Sequence, residues 1–141
     1  MKSIQTTDGF FLVFARGEEF VSTLKNFCET SRINWAQFSG IGALENVEIG
    51  YYDLPTRQYV FRLEQGPFEV SNMDGNITEL NEAPLIHAHG VLSRCDDSLG
   101  CIGGHIRSAT VAVTLEVCLR QISQPLLREY DEETGLNLIS I

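Results

Sequence analysis

The feature that most constrains the fold is one long stretch, TVAVTLEVCLRQI, at residues 110–122. It is rich in valine and threonine and contains neither glycine nor proline. β-Branched residues favour strands, and a strand that is covered on both faces is apolar almost without interruption. The stretch therefore predicts a long strand near the centre of a sheet.

Shorter segments with the same preferences precede and follow this stretch. They are separated by residues that favour turns, such as Pro55 with Thr56 and Asp74 with Gly75. Short strands joined by such turns are typical of an antiparallel meander. The predicted strands cover residues 10–14, 47–54, 58–64, 68–73 and 85–93, followed by a C-terminal hairpin of residues 126–130 and 136–141.

One helix is predicted at residues 18–32. Apolar residues recur there at helical spacing, and two glutamates fall in the first turn, where the helix dipole favours acids. The alternating residues 33–42 then open into the sequence SGIGAL at 39–44, whose two glycines permit a sharp turn or a close approach of the backbone. Such a loop could also hold an anion, but we predict a structural turn. The predicted class is α/β (α+β): a mainly antiparallel sheet with one or two flanking helices.

The overall composition limits the classes of function. A chain of 141 residues, 43% of them hydrophobic, suffices for one well-filled core, so we predict a single domain, 1–141. The sequence has no secretory leader and no stretch that could cross a bilayer, so we expect a cytoplasmic protein without a membrane partner. A net charge of -9 and scattered basic residues indicate a solvated surface and argue against direct nucleic-acid binding.

All three histidines of the chain fall within a short segment. His87 and His89 are two residues apart on a predicted strand, so both rings project from one face, and His105 follows Gly103 and Gly104. We expect these glycines to turn the chain back and to leave room around the rings. Three imidazoles predict a metal site that leaves one position open, most simply for zinc, although iron, nickel and copper also suit imidazole. The alternative is three separately hydrogen-bonded histidines.

Glu116 is the candidate catalytic residue. It lies in an otherwise apolar strand, where a carboxylate requires a partner, so it could orient a ligand, bind the metal or act as a general base. The alternative is a glutamate that faces solvent. A three-histidine zinc ion with an open position makes hydrolysis or a reaction at a carbonyl available. Ser93 lies outside any nucleophile elbow, so nucleophilic catalysis is not indicated.

Several separated motifs occur in order along the chain, at residues 16–19, 39–44, 50–53, 66–75, 87–93, 103–106 and 112–117. In order and in spacing, these motifs together resemble the PPC domain, also called PCC or DUF296. The resemblance implies an antiparallel α/β domain, a homotrimer, and a metal held by His87, His89 and His105. It covers about residues 8–122, which leaves 123–141 as a C-terminal strand or hairpin extension.

The sequence departs from the plant members of this family in two ways. It contains no AT-hook, the short element with which the plant proteins enter the minor groove, so it resembles the stand-alone prokaryotic members. Pro67 replaces the basic residue of the plant segment that contacts partner proteins, which puts that interaction in doubt. The acidic charge argues against carrying over the DNA-binding label of the prokaryotic members.

Three functions follow as hypotheses. The first is a cytosolic, trimeric module that holds zinc through His87, His89 and His105 and binds a small ligand or a protein partner. The second is a metal-dependent hydrolase or lyase for a small carbonyl compound, because the domain also resembles acetolactate decarboxylase and a zinc ester hydrolase. The third is a DNA-associated regulator whose trimer presents a local basic surface.

Overall fold

The computed structural model describes residues 1–140. This part of the chain forms nine strands and one helix. In chain order they are β1 (Lys2–Gln5), β2 (Gly9–Ala15), α1 (Phe20–Ser31), β3 (Ala36–Asp53), β4 (Gln58–Glu64), β5 (Phe68–Leu80), β6 (Ala83–Arg94), β7 (Cys101–Gln121), β8 (Leu127–Asp131) and β9 (Leu136–Ser140).

Four strands close on themselves and enclose the core. β3 pairs with β5 and with β7, and β6 also pairs with β5 and with β7, all antiparallel. The ring β3–β5–β6–β7 therefore leaves no free edge between these strands. The other strands extend the ring: β1 and β2 continue from β7, β4 pairs with β3, and the hairpin β8–β9 joins the end of β5 through one parallel pair.

The structure confirms a single, mostly antiparallel domain with one helix, and it corrects several element boundaries. Residues 110–121 of the predicted stretch form the second half of β7, which already begins at Cys101, and Ile122 lies just beyond the strand. The predicted glycine turn at 39–44 is not a turn, since residues 36–53 form one strand whose pairing register shifts there. The physical reason is that Gly42, at φ +144°, permits a bulge without ending the strand.

Helix α1 packs against the ring through three buried side chains, those of Phe20, Leu24 and Cys28. Phe20 makes edge-to-face contacts with Phe14 on β2 and Phe38 on β3, at centroid distances of 5.7 and 5.9 Å. These contacts join the helix to two different strands of the sheet.

The first residue of α1 lies later than the sequence predicts. Glu19 precedes the helix as its N-cap, and its carboxylate accepts hydrogen bonds from the backbone N–H groups of Val21 and Ser22. A third bond comes from the N–H of Ala109 on β7. Glu19 thus satisfies free donors of the helix and also ties its start to the sheet. Within residues 1–140, no helix has the length and apolar character that a membrane crossing requires.

Candidate metal centre

The three histidines lie on two neighbouring strands of the closed ring. His87 and His89 project from one face of β6, while Ala88 between them is fully buried in the core. His105 lies on β7, directly opposite His89 in the antiparallel register. Strand alternation and register together bring the three imidazoles to one place.

The rings are close enough to share one ion. One ligand nitrogen from each histidine can be chosen so that all three lie within 4.8 Å of one another. The ring centroids are 5.0 Å apart for His87 and His89, 5.1 Å for His87 and His105, and 5.3 Å for His89 and His105. Nitrogens bound to one tetrahedral zinc at about 2.0 Å would be roughly 3.3 Å apart, so a small closing of the rings suffices.

The local environment keeps two of these rings uncharged at neutral pH. Burial, followed by the neighbouring His105, His89 and Arg128, lowers the pKa of His87 to about 4. Burial, followed by His89 and Arg128, also lowers the pKa of His105. The neutral imidazole carries the lone pair that a metal requires, so both rings are in the ligand form.

A cavity of about 380 Å³ lies beside the histidines and is mostly apolar. Its aromatic wall comes from β4, where Tyr59 and Phe61 pack on His105 at centroid distances of 5.1 and 5.8 Å. Its opposite wall comes from the C-terminal hairpin β8–β9. The other lining residues are Leu85, Ile86, His87, Arg107, Arg128, Leu136, Asn137 and Leu138.

Arg128 on β8 is the residue beside the histidines that the sequence did not indicate, because scattered basic residues predict a solvated surface. Its guanidinium is half-buried in this cavity, and Nη2 lies 3.4 Å from Nδ1 of His87. Nε donates to the hydroxyl of the fully buried Thr78 at 2.7 Å, and Nη1 donates to the carbonyl of Asn137 at 2.7 Å. Arg128 belongs to no sequence motif, and it is far from the histidines along the chain. Its position beside His87 therefore could not be predicted from the sequence.

Glu116 does not belong to the histidine group of the same chain. It lies eleven residues beyond His105 on β7, or about 36 Å of strand at 3.3 Å per residue. Its half-buried side chain projects from the outer face of β7, between the buried Leu115 and Val117, and lines a separate hollow with Phe11. Its register partners are on the neighbouring strands β2 and β3. Glu116 thus faces outward, as in the alternative interpretation. Within one chain, it does not lie beside the histidines, where it could orient a ligand, bind the metal or act as a general base.

The glycines before His105 have a different role from the predicted one. Gly103 and Gly104 lie inside β7, and the chain reverses earlier, at residues 95–100. Gly104 has φ +153°, and a Cβ placed on it would lie 2.4 Å from the carbonyl oxygen of Gly50 on β3. The glycine therefore permits close approach of β3 and β7 beside the cluster, rather than space around the imidazole rings.

We predict that Gly104→Ala destabilises the protein by about 2–3 kcal/mol, because the backbone of β3 has to move and the φ of this residue suits alanine poorly. Urea denaturation monitored by circular dichroism measures the change. Gly103→Ala is the matched control, since its Cβ would meet the carbonyl oxygen of Gly90 at 3.3 Å and requires only a slight adjustment. Equal stability of the two variants would contradict the assigned role.

Residues 66–71, which correspond to the plant segment that contacts partner proteins, are only partly accessible. Phe68 is fully buried, and the guanidinium of Arg94 covers its ring at 5.3 Å from the centroid. Glu69 beside it is exposed. Phe68 is thus a core residue in this chain, and a contact through this segment would use Glu69 and its outward-facing neighbours.

Comparison with known proteins adds a family and several similar structures. The family model for the Plants and Prokaryotes Conserved (PCC) domain matches residues 1–123. The metal-containing protein from Archaeoglobus fulgidus is 31% identical, with a TM-score of 0.85 and full coverage of both chains. A plant- and prokaryote-conserved (PPC) protein from Pyrococcus horikoshii is 26% identical, with a TM-score of 0.86 over 99% of this chain and 95% of that chain. No curated protein sequence matches this chain significantly.

A third similar structure corrects an expectation about partners. The Ralstonia eutropha protein is 28% identical, has a TM-score of 0.91 over 99% of this chain and 96% of its own, and is described as a putative DNA-binding protein. This finding contradicts the expectation, drawn from the charge of -9, that direct nucleic-acid binding can be set aside. Net charge sums over the whole surface, so it does not report on a local basic area.

Proposed function

The chain belongs to the Plants and Prokaryotes Conserved (PCC) domain family, and from this premise we propose that it is a metal-binding module with His87, His89 and His105 as ligands. One observation carries the proposal: three ligand nitrogens from two strands lie within 4.8 Å of one another. The similar Archaeoglobus protein, described as metal-containing, supports it.

The donor set favours zinc among the available metals. Three neutral imidazoles suit zinc and other late transition metals, whereas magnesium and calcium require oxygen ligands. A zinc ion with three protein ligands has an open position, at which it acidifies a bound water or polarises a carbonyl. Because His89 is exposed and the cavity adjoins His87 and His105, a metal held by the three rings would be accessible to a small molecule. We therefore propose small-ligand binding at the metal as the primary function.

Zinc stoichiometry tests the proposal directly. Protein purified without chelator, and protein stripped and then reloaded, should each contain about one zinc per chain by mass spectrometry of the metal. Glu116→Gln serves as the control, because Glu116 lines a different hollow, and it should retain the same content. Less than about a tenth of an equivalent in reloaded wild type would contradict the proposal.

A metal-dependent hydrolase or lyase for a small carbonyl compound is the alternative role of the same site. The cavity of about 380 Å³ beside the histidines favours it, because a small substrate would fit there. Glu116 of the same chain is too far along β7 to transfer a proton at this site. Turnover would therefore depend on a metal-bound water or on another group that faces the cavity.

Association with DNA is the second candidate function, favoured by the description of the similar Ralstonia protein. A duplex that binds through phosphate contacts should be released as the salt concentration rises, with a slope that counts those contacts. Fluorescence anisotropy of labelled duplex DNA between 50 and roughly 200 mM salt distinguishes such binding from none.

We further propose that the protein assembles as a homotrimer, as its resemblance to the family implies. The outer face of β2, β3 and β7 supports an interface, because it exposes large apolar side chains. Phe11 on β2 is 37% exposed and Ile41 on β3 is 63% exposed, and both line one hollow with Glu116 on β7. Sedimentation equilibrium should then give three times the mass of the 15.7 kDa chain.

A further inference from the structure

The strongest unassigned feature of the cavity is a half-buried cation without a counter-ion. Within residues 1–140, no carboxylate forms an ion pair with Arg128. Its hydrogen-bond partners are all neutral: Thr78, Asn76, Asn137 and the ring of His87. A charge removed from water normally has an opposite charge beside it, so this guanidinium lacks one partner.

We propose that the cavity binds a small carboxylate, which Arg128 holds next to the metal ligands. The inference rests on the proposed metal site, and it assigns to that site a ligand class and a residue that recognises it. A guanidinium pairs with a carboxylate through two parallel N–H···O bonds, which gives both affinity and orientation.

The contact between Arg128 and His87 indicates how metal and anion are coupled. Arginine only donates hydrogen bonds, so Nδ1 of His87 accepts from Nη2 and the ring proton lies on Nε2. A metal on Nδ1 takes the same lone pair, and a metal on Nε2 moves the ring proton to Nδ1. The hydrogen bond to His87 would end in both cases, which would free one N–H of Nη2 for an anion, while the other N–H donates to Oδ1 of Asn76 at 3.4 Å.

The other arginine of the cavity already has an acidic partner. Arg107 lies 3.8 Å from the carboxylate of Glu48, and its guanidinium covers the ring of Phe61 at 5.2 Å from the centroid. Arg107 and Arg128 thus carry the same charge in one cavity, but only Arg128 lacks an acidic partner among the described residues. This difference supplies a matched control.

The shape of the cavity selects a small carboxylate with a short apolar body. Its walls are mainly aromatic and aliphatic, with Tyr59 and Phe61 on one side and Leu136 and Leu138 on the other. A volume of about 380 Å³ is near the lower end of ligand cavities. Three of the lining side chains, together with Arg128, belong to the hairpin β8–β9, beyond the family match that ends at residue 123.

Calorimetric titration of the zinc-loaded full chain with pyruvate tests the inference. Arg128→Gln should weaken pyruvate binding about 10- to 100-fold, as expected for loss of a charge-assisted, two-point contact. Arg107→Gln should weaken it less than about threefold, because that guanidinium is already paired. Equal weakening by the two variants would overturn the assignment to Arg128.

Wild-type protein gives an independent reading if Arg128→Gln does not fold. Pyruvamide, a neutral analogue of similar size, should bind at least about tenfold more weakly than pyruvate. Pyruvate should also raise the affinity of the protein for zinc by the same factor by which zinc raises its affinity for pyruvate. Equal binding of the two probes to zinc-loaded wild type would overturn the carboxylate proposal and leave the metal site intact. Failure of wild type to bind zinc would instead overturn the proposed function.

Discussion

His105→Ala is expected to lower zinc affinity by at least about 100-fold. Loss of a group that only hydrogen-bonds to a zinc ligand typically lowers metal affinity about 10- to 100-fold, so loss of a ligand itself should lower it at least as much. The two histidines that remain are both on β6, and His105 is the ligand that β7 contributes. Competition with a chromophoric chelator of known affinity measures the change.

His89→Ala provides the second arm of this experiment, and Tyr59→Phe the control. Loss of His89 also removes one of three proposed ligands, so it should lower zinc affinity as much as loss of His105. Because His89 is exposed, its removal should alter the packing less. Tyr59→Phe keeps an aromatic ring against His105 and should hold zinc within about threefold of wild type. Retention of wild-type affinity by both histidine variants would show that the three rings do not act as one site.

Phe20→Ala is expected to lower the free energy of unfolding by about 3–5 kcal/mol. Its ring is fully buried, and it contacts Phe14 and Phe38, which lie on different strands. Removal of the ring leaves a cavity where helix α1 meets the sheet, and the rigid strands can fill it only in part. A loss of this size is a large part of the stability of an ordinary domain.

Urea denaturation in the presence of chelator measures this loss, since bound metal would add its own stabilisation. Tyr130→Ala is the control: this side chain is 63% exposed on β8, so its removal should change stability by less than about 0.5 kcal/mol. A cost below about 1 kcal/mol for Phe20→Ala would show that α1 is not anchored through this aromatic cluster.

The local parts of the fold could be predicted from the sequence because they depend on short-range periodicity. The stretch 110–122 contains the β-branched residues of a strand, and all of it but Ile122 lies in β7. The helix at 18–32 was located to within about two residues of α1. The predicted break at 39–44 was wrong, because a glycine bulge and a turn contain the same residues and differ only in whether the neighbouring strands continue to pair.

The candidate site also has parts that follow from local sequence spacing and parts that depend on the tertiary structure. The spacing of His87 and His89 alone determines that their rings share one face of a strand, since side chains alternate along every strand. The approach of His105 to His89 depends on the pairing of β6 with β7. The distance of Glu116 from the histidines depends on how far β7 extends. Arg128 reaches His87 because the hairpin β8–β9 joins the end of β5. Periodicity is a property of neighbouring residues, whereas strand register and the closing of the sheet arise from contacts between distant ones. The sequence by itself therefore determined that His87 and His89 share one face of a strand. Only the tertiary structure decided how close His105 comes to them, which cavity adjoins them and that Arg128 lies beside them.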